Sequence, residues 1–400
     1  MDSAAPEQST GPCSGFRVLE FGTMVSGPLA GQNLGDLGAD VIKIESMMGD
    51  TARWTGQPER EGLNGFFSQF NRNKRAISLD LKSEQGQAVV LKLAESADVI
   101  MVNYRPGVMD RLGLGYEHLS KINPGLVYVC VSGFGPDGPY ADQPVYDLVT
   151  QGMCGTAATQ GTDGKPRLIQ SVIADKNAAI TAASATLAAL LARERNGGEG
   201  QLVHVPMINA FAQLTLPDVM TREAFRPKSH VDAPIPKLFH VWSCADGFLV
   251  GMPIEDKQFA NLCIALGCQN LAEDERFKSI GVRLENTDAM IDLIDAELAK
   301  WKWREALKQL RKYDVPFAPV YDLEEFMEDP QVKHNRTIFD AEDPKGGTMR
   351  YIRHPSVYEK TPATLRRHPP RYGEHTDEVL LEAGFSTEQL AEWRKAQVVA

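Results

Sequence analysis

Short apolar runs alternate with helical patterns along the first half of the chain. Phe16–Phe21 (FRVLEF) is short and apolar, Pro28 follows Ser26-Gly27 as a first helical residue, and Asp40–Glu45 (DVIKIE) alternates as a strand. A strand over Ala76–Leu81 and a helix over 84–96 after Ser83 come next. Asp98–Val102 (DVIMV) and Leu126–Val131 (LVYVCV) then read as buried strands, the latter closing in Ser132-Gly133-Phe134-Gly135. Short buried strands alternating with helices predict an α/β fold, a parallel sheet covered on both faces. Lys176–Arg195 is the longest helical pattern, rich in Ala and Leu and closed by Asn196-Gly197-Gly198, with a strand at Leu202–Val205 behind it.

The pattern changes near 225–237, where Pro227, Pro234 and Pro236 among mixed charges read as a linker. Two short strands around Asp246-Gly247, helices to about Tyr313 and a strand at Val315–Tyr321 predict a smaller α+β domain. From about 335 the chain is rich in Pro and Gly until helices at 374–383 and 387–396. Met1–Gly15 is Ser/Pro/Gly-rich, without the basic start and apolar run of a signal peptide, and reads as a disordered tail. The most apolar stretch, Ala182–Ala192, is about half the ~20 residues that span a bilayer. A soluble, cytoplasmic protein is expected.

Composition narrows the function. With 400 residues, two or three domains are expected. The 42 Lys+Arg against 53 Asp+Glu give a net charge of −11, which argues against a nucleic-acid-binding face. A small anionic ligand stays open, because local charge can oppose net charge. Cys13, Cys130, Cys154, Cys244, Cys263 and Cys268 form no C-x-x-C pair, and the histidines are scattered singly, so no metal site is expected.

Four motifs carry candidate chemistry. Gly22, Gly27 and Gly31 follow the first strand and Glu45 ends the next, but their spacing is not that of G-x-G-x-x-G. A nicotinamide cofactor is therefore disfavoured, and glycines permitting a tight strand–helix turn are the simpler reading. Asn71-Arg72-Asn73-Lys74-Arg75 concentrates cations in an acidic chain, either as a solvated turn or as a phosphate site. Asp175, before the long helix, suits an N-cap. That is the simpler reading, but the position also suits a nucleophile, ionised by the helix dipole and flanked by N–H groups that could receive an oxyanion. Tyr146-Asp147 reads as loop packing and capping before a helix, and no G-x-S-x-G elbow supports a serine hydrolase.

In order along the chain, these segments resemble the class III CoA-transferases, the superfamily of formyl-CoA and carnitine CoA-transferases and methylacyl-CoA racemases. The matching pieces are VLEFGTMVSGPLAGQNLGDLGADVIKIE (18–45), FNRNKRAISLDLKSEQG (70–86), ADVIMVNYRPGVMDRLGLG (97–115), SGFGPDGPY (132–140), ADKNAAITAASATLAAL (174–190), DVPFAPVYDLEEFMEDPQV (314–332) and YGEHTDEVL (372–380). The resemblance implies a large Rossmann-like domain built from both chain ends (16–224 and 335–400), a small domain with linkers at 225–334, and an interlocked homodimer. It implies an acyl-CoA:carboxylate CoA-transferase whose nucleophile is Asp175, working through a mixed anhydride and an aspartyl-CoA thioester. Coenzyme A and acyl-CoA are implied as substrates, with no metal and no NAD. Its implied CoA contacts are Val25, Ser26, Leu79, Lys82, Asn103, Tyr104, Arg105, Arg111, Tyr146 and Asp147. Lys74, Arg75, Lys82 and Arg111 are the expected counter-charges to the phosphates, within a set of cations that also holds Arg72 and Arg105.

The chain departs from that pattern at defined places. Formyl-CoA transferases carry Gln at Val25, Arg at Ser46 and Lys at Pro144, and their glycine-rich small-domain loop has no counterpart in His230–Lys237. Methylacyl-CoA racemases place a His at Tyr146, and two-base exchange needs that partner. CoA transfer is favoured, with a racemase or epimerase and a non-catalytic CoA-binding protein as the alternatives. The acyl donor and the acceptor acid are not written in the sequence.

Overall fold

The chain after residue 16 forms β1 (Arg17–Phe21), and its period-2 alternation sets the layers of the fold. Leu19 and Phe21 point into one core and Val18 into another on the opposite face. The remaining elements of the N-terminal half are α1 (Ser26–Asp36), β2 (Asp40–Glu45), α2 (Gly65–Ser68), β3 (Lys74–Ser78), α3 (Glu84–Ala94), β4 (Val99–Val102), α4 (Val108–Arg111), α5 (Tyr116–Ile122) and β5 (Val127–Ser132). After them come α6 (Asp147–Met153), α7 (Thr156–Thr159), α8 (Ile173–Arg195), β6 (Leu202–Pro206) and α9 (Met207–Thr215). In this computed structural model residues 10–60, 62–161, 164–227, 239–253 and 255–400 are described.

The six strands make one parallel sheet in the order β3-β2-β1-β4-β5-β6, with Leu19 opposite both Ile42 and Ile100. Helices α1 and α8 cover one face, where Ala178, Ala182 and Ala189 pack near Ala30 and Leu34. Helices α3 and α5 cover the other with Val89, Val90, Leu93 and Leu119. The same face receives α16 (Thr376–Glu382) and α17 (Thr387–Lys395) through Val379, Leu380 and Leu390. Asp80 donates its N–H to the Val398 carbonyl at 2.8 Å, so both chain ends build this unit, Met1–Ala224 with Arg336–Ala400. An antiparallel hairpin, β10 (Ile338–Asp343) and β11 (Gly347–Ile352), belongs to it and had no expected counterpart in the sequence.

Phe225–Asn335 forms a second unit. An antiparallel sheet of β7 (Val241–Cys244), β8 (Gly247–Gly251) and β9 (Phe317–Pro319) packs with helices α10 (Asp256–Leu266), α11 (Ile280–Glu285), α12 (Thr287–Leu298) and α13 (Trp303–Lys312). Trp242, Leu249, Phe259, Leu262, Leu298 and Phe317 are buried in its core. Helices α14 (Leu323–Glu328) and α15 (Pro330–Asn335) close the unit. The loop at His230–Lys237 lies outside the described residues, as does the expected linker beyond Pro227.

Three expectations are corrected. The disordered tail does not extend to Gly15: Cys13 is buried and donates its N–H to the Leu37 carbonyl at 2.8 Å. β3 begins at Lys74 and not Ala76, which draws the basic run into the sheet. α8 begins at Ile173, so Asp175 lies inside its first turn and is not the cap.

That shift of β3 creates a buried ionic layer on an otherwise apolar sheet face. Lys43 Nζ lies 3.0 Å from Glu20 and 2.8 Å from Asp50, and Lys74 Nζ lies 2.7 Å from Glu20. All four side chains are fully buried or nearly so. Burial alone would push the Lys43 ammonium down, but Asp50, Glu20 and Glu45 outweigh it and raise its pKa. For Lys74 burial prevails, with Lys43 adding to it, and its pKa falls to about 8. Gly31 makes room for this layer, since a Cβ there would lie 2.2 Å from a Glu20 oxygen. Glu20→Gln, which leaves two buried ammonium groups short of a counter-charge, is expected to cost about 3 kcal/mol in urea unfolding with an unchanged m-value.

Candidate active site

The strand order reverses between β1 and β4, and parallel strands present their carboxyl ends to one edge of the sheet. A cavity of about 1260 Å³ opens there, larger than the ~300–1,000 Å³ usual for small-molecule sites. Its walls are the segments that leave five strands: Thr23–Ser26 after β1, Ser46–Gly49 after β2, Leu79–Lys82 after β3, Asn103–Pro106 after β4, and Ser132-Gly133 after β5. Arg111, Gln143–Leu148, Leu168–Val172 and Asp175 are also among the lining residues.

The turn after β1 is held from below. Met24 adopts a left-handed φ of 63°, rare for a residue with a Cβ, and its N–H donates to Asp50 at 2.9 Å. Lys43 Nζ donates to the Gly22 carbonyl at 2.7 Å, so the buried ionic layer reaches directly into this turn. From the β4 side, Asn103 takes the Thr23 N–H at 2.9 Å and donates to the Thr23 carbonyl at 2.8 Å and to Ser26 Oγ at 3.1 Å. Because Thr23 N–H can only donate, the Asn103 oxygen must face it and the NH₂ must face Ser26.

Asp175 sits in the first turn of α8 and lines the cavity. Its carboxyl is raised to about 6, first by burial and then by the charge of Asp147, while the Ser26 hydroxyl pulls it back down. Asp147 is only 3% exposed. One of its oxygens accepts the N–H groups of Ala174 (2.6 Å) and Asp175 (3.1 Å), and the other accepts from Gln151 (2.6 Å). Lys176 N–H bonds the Val172 carbonyl and Ile173 N–H the Ser171 carbonyl. The first-turn N–H groups of α8 are therefore occupied, which corrects the expectation that they would receive an oxyanion.

The expected ligand residues divide into two groups. Val25, Ser26, Leu79, Lys82, Asn103, Tyr104, Arg105, Arg111, Tyr146 and Asp147 all line the cavity. Lys82, Arg105 and Arg111 are exposed, and among the described residues none lies in an ion pair. Tyr146 is 69% exposed, whereas Val25 and Leu79 are buried walls. Burial, with a smaller opposing pull from Lys43, raises the Tyr104 hydroxyl. The Asn103 amide is engaged by Thr23 and Ser26, and the Asp147 carboxylate by α8 and Gln151.

Lys74 and Arg75 do not line the cavity, which corrects their assignment as phosphate ligands. Lys74 Nζ also donates to the Pro28 and Phe70 carbonyls and to Asn71, and Arg75 is paired with Asp40, Glu378 and Glu382. Arg72 is likewise spent on Asp36. Glu45, the acid that ends β2, is buried against Arg53 at 2.6 Å and does not line the cavity. Sequence reasoning missed Thr23, Met24, Met47, Gln151 and the stretch Leu168–Val172. For Gln151 the i,i+4 spacing from Asp147 was the available signal. Among the described residues no cluster of three metal-binding side chains occurs, and no helix is long and apolar enough to cross a membrane.

A half-buried carboxylate raised to about 6, in a largely apolar cavity rimmed by three cations that make no ion pair among the described residues, suits attack on the acyl group of an anionic ligand. The model for CoA-transferase family III matches residues 13–376. The chain belongs to that family. It is 36% identical over 383 residues to the succinate–glutarate CoA-transferase of Agrobacterium fabrum, covering 93% of this chain and 95% of the relative. It is 32% identical to the succinyl-CoA–D-citramalate CoA-transferase of Chloroflexus aurantiacus, covering 97% and 98%. A crystal structure of Rv3272 from Mycobacterium tuberculosis superposes with a TM-score of 0.82 at 32% identity, covering 92% of this chain and 98% of that one. A CAIB/BAIF family protein from Brucella suis gives a TM-score of 0.81 at 33% identity, covering 93% and 99%. This member of family III is accordingly a CoA-transferase.

The raised Asp175 carboxyl has a consequence for stability. The native state holds that proton up to about pH 6 while the unfolded chain loses it near 3.8, so stability falls as pH rises between these values. Asp175→Asn is expected to be more stable than wild type at pH 7.5 by on the order of 1–3 kcal/mol, a gain that vanishes near pH 4. Thermal melts at the two pH values check both halves of the statement.

Proposed function

We propose that this enzyme transfers CoA from an acyl-CoA to a free carboxylic acid through covalent intermediates on Asp175. Its main support is that the half-buried Asp175 carboxylate lines the same cavity as Lys82, Arg105 and Arg111, none of them in an ion pair among the described residues. The cations bind the phosphates of CoA, and Val25, Ser26, Leu79, Tyr104 and Tyr146 wall the site. Asp175 attacks the thioester carbonyl, the C–S bond breaks, and CoA leaves as thiolate from an acyl-aspartyl anhydride. The thiolate then attacks the aspartyl carbonyl, releasing the donor acid and forming an aspartyl-CoA thioester. An acceptor carboxylate reverses the two steps and leaves as the new acyl-CoA.

The partial burial of Asp175 serves this chemistry in two ways. It excludes the water that would hydrolyse the anhydride, and it keeps the carboxylate basic, hence nucleophilic, while ionised at neutral pH. The enzyme acts as a homodimer with interlocked subunits. Ile180, Leu187 and Leu191 support this, because they leave an exposed apolar stripe along α8. Sedimentation of the intact protein at micromolar concentration checks the dimer.

Asp175→Ala is expected to lower transferase activity at least ~1,000-fold with a succinyl-CoA donor and dicarboxylate acceptors. Hydroxylamine added during turnover should convert Asp175 to a hydroxamate, read by peptide mass. Retention of full activity by the alanine variant would exclude the mechanism. The kcat/KM for acyl-CoA should fall below about pH 6, where Asp175 takes up its proton. Lys82→Ala and Arg111→Ala should each raise the KM for acyl-CoA about tenfold, and less at high salt.

A further inference from the structure

We propose that Asp147 is a positioning residue for Asp175: it grips the α8 backbone at the nucleophile and leaves the binding of CoA to other side chains. This rests on the reading of Asp175 as the nucleophile. The geometry is a clamp of two short links. Gln151 Nε2 donates to Asp147 at 2.6 Å, and Asp147 accepts from Ala174 and Asp175 on its second oxygen. Gln151 is itself immobilised: its oxygen takes the Ile169 N–H at 2.9 Å, and its amide also reaches the carbonyls of Ile169 (3.3 Å) and Ser171 (3.1 Å). Both side chains are nearly inaccessible, so a ligand in the cavity meets Asp147 only at its edge.

The clamp joins α6 to the whole approach of α8, residues 169–175. Asp147 begins α6 and Gln151 lies one turn on, so a single helical face holds the segment that carries the nucleophile. A second effect comes with the first. The N-terminus of a helix favours an anion, and Asp147 supplies one from outside, so the favourable end of the dipole is spent before Asp175 can use it. Asp147 is the charged group acting on Asp175; from α1 the facing group is the Ser26 hydroxyl, and Lys176 is turned away to Ser171 at 3.0 Å. One buried carboxylate thus both positions the nucleophile and, second to burial, adds to its basicity.

Two variants separate these contributions. Asp147→Asn keeps the size and can still accept the two α8 N–H groups on its one oxygen, but it lacks the charge and turns its NH₂ toward the Gln151 amide, which loses that acceptor. Gln151→Ala keeps the charge and frees its orientation. The readouts are kcat, the calorimetric Kd for CoA, and the infrared titration of the Asp175 carboxyl in ¹³C-aspartate-labelled protein, with Asp175→Asn as the blank. Asp147→Asn should move the titration midpoint down from about 6 by about half to one pH unit, and lower kcat about tenfold or more. Gln151→Ala should lower kcat with a much smaller change of midpoint. Both should leave the Kd for CoA within about twofold of wild type.

A tenfold weaker Kd for CoA in Asp147→Asn with an unmoved midpoint would make Asp147 a ligand contact and overturn the inference. Wild-type kcat and midpoint in both variants would overturn it equally. If Asp147→Asn fails to fold, Gln151→Ala decides through kcat and Kd. Full activity in Asp175→Ala would remove the nucleophile reading alone, because the infrared arm still reports whether Asp147 acts on residue 175.

Discussion

The reversal of strand order between β1 and β4 is the constraint on which the rest of this molecule depends. Adjacent strands on either side of the reversal send their connections to opposite faces, and a crevice opens between the departing segments. Segments far apart in sequence, from Thr23 to Gly133, then share one cavity without any of them having to be long. The cost is that the turn after β1 must be tight enough to clear the crevice, and Met24 meets this with a left-handed backbone. Asp50 and Asn103 hold that turn, and Asp50 is fixed by Lys43 in the ionic layer below. The buried charges are thus part of how the site is shaped, over and above any stability they confer.

Burial also decides which cations are available to a ligand. Arg72, Lys74 and Arg75 stand in or beside β3, where each is desolvated, and a desolvated cation persists only with close acceptors around it. Those acceptors are Asp36, Glu20, Asp40 and the carboxylates of α16. Lys82, Arg105 and Arg111 lie in or just after the segments that leave the strands and keep their charge for the cavity. The surplus carboxylates of an acidic chain thus leave these three cations without an ion pair among the described residues, as the proposed binding of an anion requires.

The sheet was legible because each strand is a local event: VLEF, DVIKIE, VIMV and VYVCV are buried runs bounded by turn residues. Asp175 stood out for a related reason, since a carboxylate at a helix start is a local signal. What the sequence hid is long-range. The start of β3 at Lys74 follows from Glu20 lying in register beside Lys43, and no local pattern announces a buried ion pair. The identity of the α8 cap was hidden likewise, because Asp147 precedes Ala174 by 27 residues and reaches it only through the fold. The β10–β11 hairpin was obscured by the Pro- and Gly-rich composition around it.

Asp147 and Ser26, at the α8 terminus, bear on the role proposed for Asp175, because they act on its basicity in opposite directions. An aspartate alone at a helix N-terminus would be stabilised as an anion, and a strongly stabilised anion attacks poorly. An aspartate buried without partners would keep its proton and not attack at neutral pH. Here Asp147 takes the helix N–H groups and adds repulsion, while Ser26, its hydroxyl oriented by Asn103, returns part of the stabilisation. The opposing influences leave the Asp175 carboxyl near 6, ionised at neutral pH yet more basic than a solvated aspartate. Because the contributors come from α1, β4 and α6 as well as α8, the balance belongs to the crevice as a whole and not to any one motif.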